Sequence, residues 1–374
     1  MHAINRATAL AACAIAFAAP TAGRADVYCV ATASELHQAL AAAAASAADD
    51  QIRLRAGTYA ATQTFTYPAA TSGWLELSGG WIDENDVPCA RTSQRAGDTV
   101  LDGLSEHQVF NLSYTPATPA ATAPRFALSH LSVRNGVGAG FTRGGGLALQ
   151  SNAEGPAEIW LDNVAVTGSR GYFGGGAHLY LKKGLLRIAN TLFANNEAPE
   201  SAYGHAAITV LGGETAYSVT IVNSTFVGGR CAGQGTRGCG IGAGLGAGAH
   251  MAVVNSLFDD NALSDVSMEG LAVIGLGNGS VAYDHSRVPV SSGTFAPTIS
   301  APLEDEPHFV GASDFRLADD SPLLDRGLGT VPIVPLGGAD LDGRPRLRYA
   351  ALDPGAYENQ TWDTLLTEDF EAQD

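Results

Sequence analysis

The sequence predicts an all-β solenoid with an N-terminal capping helix, and three observations carry that expectation. The segments FALSHLSVRNG, IWLDNVAVTGS, RIANTLFANN, TIVNSTFVGG and AVVNSLFDDN align on His130, Asn163, Asn190, Asn223 and Asn255, at successive intervals of 33, 27, 33 and 32 residues. Recurrence of this kind marks stacked coils. Each unit is strand-like, with β-branched and aromatic residues alternating and glycines between units. An Ala-rich stretch, SELHQALAAAAASA at 34–47, is helical in composition, takes Ser34 as its N-cap, and precedes the strand pattern QIRLRAGTY.

Taken from the N-terminus, residues 1–25 read as an export signal: Arg6 supplies the charge, ALAACAIAFAAP the apolar core and Gly23-Arg24-Ala25 a cleavage site. Leu10-Ala11-Ala12-Cys13 has the form of a lipoprotein box, but too few apolar residues precede it, and simple cleavage before Asp26 is preferred. No later stretch holds the about 20 apolar residues that span a bilayer, so the mature chain is expected to be secreted or at the cell surface, without a transmembrane segment. Cleavage removes Arg6 and Arg24, leaving 19 basic against 38 acidic residues, a net −19. That charge disfavours nucleic acid and anionic membranes. Four cysteines remain, an even number in an exported chain; Cys29 with Cys89 and Cys231 with Cys239 is the favoured pairing, because the second pair closes the short loop CAGQGTRGC.

Within each coil the alternation changes phase at the aligned position. An apolar residue stands two before it (Leu161, Ile188, Ile221, Val253) and another three after it (Val166, Phe193, Phe226, Phe258). An odd separation would send them to opposite faces of a straight strand, so the chain must bend between them. Asparagine tolerates the left-handed backbone of such a corner. Asn163, Asn190, Asn223 and Asn255 are therefore expected at stacked corners, with their amides forming an internal ladder. Glycines 144–146, 174–176 and 204 mark another corner. Gly240 is expected at the same corner, and the run GIGAGLGAG around it lacks the strand-then-helix context of a phosphate loop.

The order of helix, I-x-L-x-x-G-T-Y and Asn-bearing coils over residues 26–310 resembles the right-handed parallel β-helix of the pectate-lyase-like superfamily. The resemblance implies a fold, not a reaction. After Pro307 the rhythm changes, and residues 311–358 resemble the choice-of-anchor Q segment that ends many bacterial surface β-helix proteins. The match runs through Asp314, Arg316, Ser321, Asp325, Gly327, Asp340, Asp342, Gly343, Arg346, Asp353, Gly355 and Glu358. It implies export and a sorting or anchoring end. Such a segment is expected to cap the last coil; residues 359–374 form an acidic tail. No cofactor is called for. The one cation considered is calcium, at Asp340 and Asp342, where a tight turn with local Arg pairing is the preferred reading.

Asp259 and Asp260 invite the question of catalysis, since paired carboxylates hydrolyse sugars. The polygalacturonase-like motifs N-T-D, D-D, G-H-G and R-I-K have only fragments here: Asn190-Thr191-Leu192, Asp259-Asp260, Gly204-His205-Ala206 and Arg187-Ile188-Ala189, in the wrong order. A lyase needs a base beside a neutralising cation; Arg187 shares a coil with Lys182 and Lys183, but no matching Asp cluster follows. Asp259, Asp260, Arg187 and His205 are thus the catalytic candidates. The expected reading of the two acids is a solvated exit turn without partners on neighbouring rungs. His178, His205 and His250 read as separate surface or satisfied core residues. The chain is expected to be a non-catalytic, adhesin-like surface protein whose partners are cell-surface or extracellular glycans or proteins. The alternative is a polysaccharide lyase or glycosidase using the groove of the solenoid.

Overall fold

A computed structural model describes residues 25–69, 73–115, 124–140, 143–199, 208–212, 217–231, 238–263, 271–289, 291–293, 296–329, 338–346 and 351–360. The export signal up to residue 24, Gly204, His205, the interior of the CAGQGTRGC loop and the tail beyond 360 lie outside the described residues.

The chain winds into a right-handed parallel β-helix. One face is a parallel ladder running from Val27–Val30 through Asp50–Arg55, Leu75–Glu84, Arg125–Arg134, Ala157–Thr167, Gly184–Ala189, Tyr217–Val222, His250–Val254 and Ser280–Asp284 to Thr298–Ser300. A second parallel sheet runs from Phe65–Ala69 to Ser291–Gly293. Between them the chain turns through a short third face, where Leu192–Ala194, Thr225–Val227 and Leu257–Asp259 pair in register. Side chains pointing inward from all faces make one continuous core. Phe193, Phe226 and Phe258 are fully buried in it and stack, with ring centroids 5.3 and 4.6 Å apart and planes nearly parallel. Each contributes roughly 1.5–3 kcal/mol by leaving water.

The helix spans Ala33–Ala45 and its N-cap is Thr32, not Ser34. Thr32 Oγ1 accepts from Glu35 N at 3.2 Å while Glu35 Oε2 accepts from Thr32 N at 3.1 Å, so the sequence T-A-S-E makes a reciprocal capping box that outcompetes a lone serine. Leu36, Ala39, Leu40 and Ala43 form the buried stripe that closes the first coil.

The aligned positions are corners: φ is 54° at His130, 52° at Asn163, 49° at Asn190, 47° at Asn223 and 48° at Asn255. The asparagine amides, however, form no ladder with one another among the described residues. The next residue does. Thr191 N donates to Ser224 Oγ, Ser224 N to Ser256 Oγ and Ser256 N to Ser286 Oγ, at 3.1–3.3 Å. Each of these hydroxyls donates in turn to the carbonyl two residues back. A hydroxyl both donates and accepts along the stack with little side chain to order, which suits it to this dry position. Five residues beyond each corner lies a second left-handed one, with Asn135, Gly168, Asn195, Gly228 and Asp260 at φ between 46° and 65°. Of the glycine corners, Gly144 and Gly174 have φ near 68°, and a Cβ on Gly144 would stand 1.9 Å from Leu147 O. Gly240 falls within the strand Gly238–Leu245 but at the rung position of Gly146 and Gly176, since Leu147, Ala177, Ile208 and Ile241 pair in register just after it.

The C-terminal segment departs most from expectation. It does not cap the last coil, whose strand Thr298–Ser300 is exposed throughout. After the antiparallel pair Phe309–Gly311 and Asp314–Leu317 it doubles back along the side of the solenoid, over the column of asparagine corners. Leu328 N donates to Asn255 Oδ1 at 2.7 Å and Asn255 Nδ2 to Leu328 O at 3.0 Å. Gly355 N donates to Asn255 O, Arg346 Nε to Asn190 Oδ1, and Asn163 Nδ2 to Asp340 O. The amides of Asn163, Asn190 and Asn255 are used outward, as a rail for this segment.

Candidate functional site

His205 lies outside the described residues, and Arg187 is not brought together with the acid pair. Arg187 lies three residues before its corner and Asp259 four residues after its own, so they occupy different faces. Asp260 is 63% exposed and stands at a left-handed exit turn with φ 46°, but both acids have partners from other coils, contrary to expectation. Arg287 Nη1 donates to Asp259 Oδ1 at 2.8 Å and also to Phe258 O at 2.7 Å. Arg230 Nη2 donates to Asp260 Oδ2 at 2.9 Å. Coils of about equal length return an arginine beside each acid, a relation visible only once the rungs are in register. His250 is exposed, with Nδ1 2.9 Å from Ser280 Oγ. His178 is buried with neither ring nitrogen partnered, so it is not a satisfied core histidine. Burial pushes its pKa down to about 4, helped by Arg143, and it stays neutral.

The cysteines are joined as Cys29–Cys89 and Cys231–Cys239, with Cα atoms 5.8 and 5.3 Å apart. Asp340 is buried and braces a turn: its Oδ1 accepts from the backbone of Asp342 and Arg344, and its Oδ2 from Glu358 N. Three donors commit that carboxylate to the chain, and Asp342 remains half-buried beside it. Around it, Arg346 is wholly enclosed and ion-paired with Glu358 at 3.3 Å. Burial raises Asp340 and Asp353 and pushes Glu358 up to about 8, with Arg346 opposing the shift in each case. The guanidinium of Arg346 is itself lowered by desolvation and held up by the acids around it. One cation among this many buried carboxyls favours holding a proton within the cluster.

The outer surface of the long ladder carries the most distinctive polar arrangement. Arg125 lies over Trp74 at 3.6 Å and over Trp160 at 4.1 Å, and Arg187 lies over Trp160 at 4.7 Å. Register explains the column: Trp160 pairs with Arg187 on the next rung, while Arg125 pairs with Glu158 on the same strand as Trp160. Trp160 is thereby sandwiched between two guanidinium groups, whereas Trp74 is 40% exposed. A groove of 210 Å³ opens here, lined by Trp74, Glu76, Arg125, Ser129, Trp160 and Asp162 among others. Asp162 accepts from Asn190 Nδ2 at 3.0 Å, and burial raises its pKa, offset by Asn190 and by Arg346. A larger cleft of 570 Å³ lies by the second corner, beside Arg170, Tyr172, Asn195 and Glu197.

Trp74, Arg125 and Trp160 were absent from the expected site residues. The signal was present: Trp160 and Arg187 both stand three residues before an aligned asparagine, so extending the alignment to outward positions stacks them.

No family model matches the chain. No curated protein matches it either. Among solved structures, it is similar to pectin methylesterase from Aspergillus niger in deglycosylated form, with 16% identity over 76% of this chain and 84% of that one, TM-score 0.34. A second structure of that enzyme, with an N-acetylglucosamine stub, gives 17% identity, the same coverage and TM-score 0.34. Escherichia coli ybhc gives 13% identity over 67% of this chain and 70% of that one, TM-score 0.33.

Proposed function

We propose that the chain is an exported, non-catalytic β-helix that acts at or beyond the cell surface as an adhesin-like binding module, with residues 311–358 forming a choice-of-anchor Q-like end. The observation that carries this reading is the commitment of the acid pair. Asp259 and Asp260 are each held by an arginine from another coil and lie on a different face from Arg187. To act as acid or base, each carboxylate would first have to give up its arginine. Two disulfides fit an oxidising compartment, and no helix among the described residues is long and apolar enough to cross a membrane. The net charge of −19 after signal cleavage points to neutral or cationic partners, extracellular glycans or proteins, and away from nucleic acid.

The test is incubation of the secreted protein with uronate and neutral polysaccharides, with and without calcium. Unchanged chain length is the expected result. Unsaturated or new reducing ends would overturn the reading and favour a lyase or a glycosidase. N-terminal sequencing of the exported protein checks the signal: the expected first residue is Asp26.

A further inference from the structure

We propose that the groove beside Trp74 is a binding site for one neutral pyranose unit of a glycan. The inference rests on the reading of the chain as a binding module and names the class of partner and the place where it docks.

Shape comes first. At 210 Å³ the groove is smaller than the roughly 300–1,000 Å³ of sites for drug-sized ligands, and it suits a single ring. Its walls combine an aromatic edge with groups of both hydrogen-bonding senses. Arg125 donates, Glu76 and Asp162 accept, and Ser129 can do either. A pyranose needs this combination, because it presents an apolar C–H face and a rim of hydroxyls that each donate and accept. Trp74 supplies the apolar surface. Arg125 covers part of its ring, and the exposed 40% faces solvent. Trp160 has guanidinium groups above and below, so it acts as the spacer that holds Arg125 in place.

Charge selects among sugars. Glu76 and Asp162 line the groove against Arg125, which is already ion-paired with Glu158 at 3.3 Å. A uronate would meet two acids and an arginine already engaged by Glu158, on an acidic chain. A neutral ring meets neither penalty.

Preorganisation is the last element. Asp162 is fixed by Asn190, and Asn190 is fixed in turn by Arg346 from the docked C-terminal segment, at 3.0 and 2.9 Å. The sandwiched arginine has little rotamer freedom left to lose, and prior ordering lowers the cost of binding.

The test uses the full secreted protein and calorimetric titration with hexasaccharides of glucose, mannose, galactose and galacturonate. A neutral hexasaccharide is expected to bind, with affinity changing less than about twofold between 0.05 and 0.5 M salt, since no ion pair with the ligand is formed. Trp74→Ala is expected to weaken binding at least tenfold, Trp74→Phe no more than about threefold, and Glu76→Gln about fivefold. Thermal melting of each variant controls for folding; Glu76 is exposed, so its variant stands if Trp74→Ala fails to fold. Three results would overturn the inference while leaving the binding-module reading intact: binding of the uronate alone, binding unaffected by both Trp74→Ala and Glu76→Gln, or no binding of any of the four sugars. Cleavage of a hexasaccharide during the titration would instead overturn the non-catalytic reading.

Discussion

Each coil turns twice through the left-handed region, five residues apart, and the two corners have been filled by different rules. The first takes asparagine at 163, 190, 223 and 255; the second takes Asn135, Gly168, Asn195, Gly228 and Asp260. Backbone geometry is nearly the same at both, so the conformational demand cannot account for the difference. Glycine meets that demand better than asparagine does. What distinguishes the first corner is a second client. The C-terminal segment lies against it and bonds to the side chains of Asn163, Asn190 and Asn255, whereas the second corner borders open solvent and a cleft. A recurring residue in a solenoid can therefore report a distant segment of chain as well as the local turn.

The comparison can be broken most sharply at Arg346. Arg346→Ala leaves the Glu358 carboxyl, Asn190 Oδ1 and the carbonyls of Asp353 and Gly355 without their buried donor. It is expected to cost about 3 kcal/mol, read as a lower urea midpoint and rapid proteolysis within 338–360. Asn255→Gly comes next. It keeps the positive φ but deletes the paired bonds to Leu328, and about 2 kcal/mol is expected from equilibrium unfolding. Asn223 provides the contrast within the same column. Both polar atoms of its amide are buried without partners, so Asn223→Gly is expected within about 0.5 kcal/mol of wild type in the same measurement.

Docking should also respond to pH. Glu358 is raised from its ordinary value to about 8, mainly by burial. A carboxyl raised on folding contributes stability that is complete below its unfolded pKa and is lost as pH climbs through the folded one. Amide exchange of the 338–360 segment is thus expected to lose protection between about pH 5 and 8, by up to about tenfold per unit beyond the intrinsic rate change. Glu358→Gln should flatten that slope. A comparably small effect is expected at the second corner, where Asp260→Gly keeps the geometry and gives up one exposed ion pair, worth about 0.5 kcal/mol.

The solenoid and its corners were legible because stacking imposes one period on every coil. Phe193, Phe226 and Phe258 could be read as a stack from spacing alone, and the structure superposes them. The orientation of the amides was not legible. Whether an asparagine side chain turns along the stack or away from it depends on what lies outside, and that was a segment between 73 and 177 residues distant in sequence. The hydroxyl ladder one position later, at Thr191, Ser224, Ser256 and Ser286, carries a weaker signal in the sequence, because serine and threonine suit turns and surfaces as readily as a stacked corner. The arginine partners of the acid pair were hidden for a related reason: Arg230 and Arg287 stand 30 and 28 residues from Asp260 and Asp259, about one coil away, and meet them only after winding. The Trp and Arg column needed the outward positions compared across coils, where alternation alone carries no signal.

The docked segment also changes what kind of object the solenoid is. A stack of repeats in contact only with nearest neighbours can fray one coil at a time. Here the coils of Asn163, Asn190, Asn223 and Asn255 are tied to one strip of chain through Asp340, Arg346 and Leu328. A pull on the C-terminal end is therefore shared as shear across those rungs before any of them can peel away.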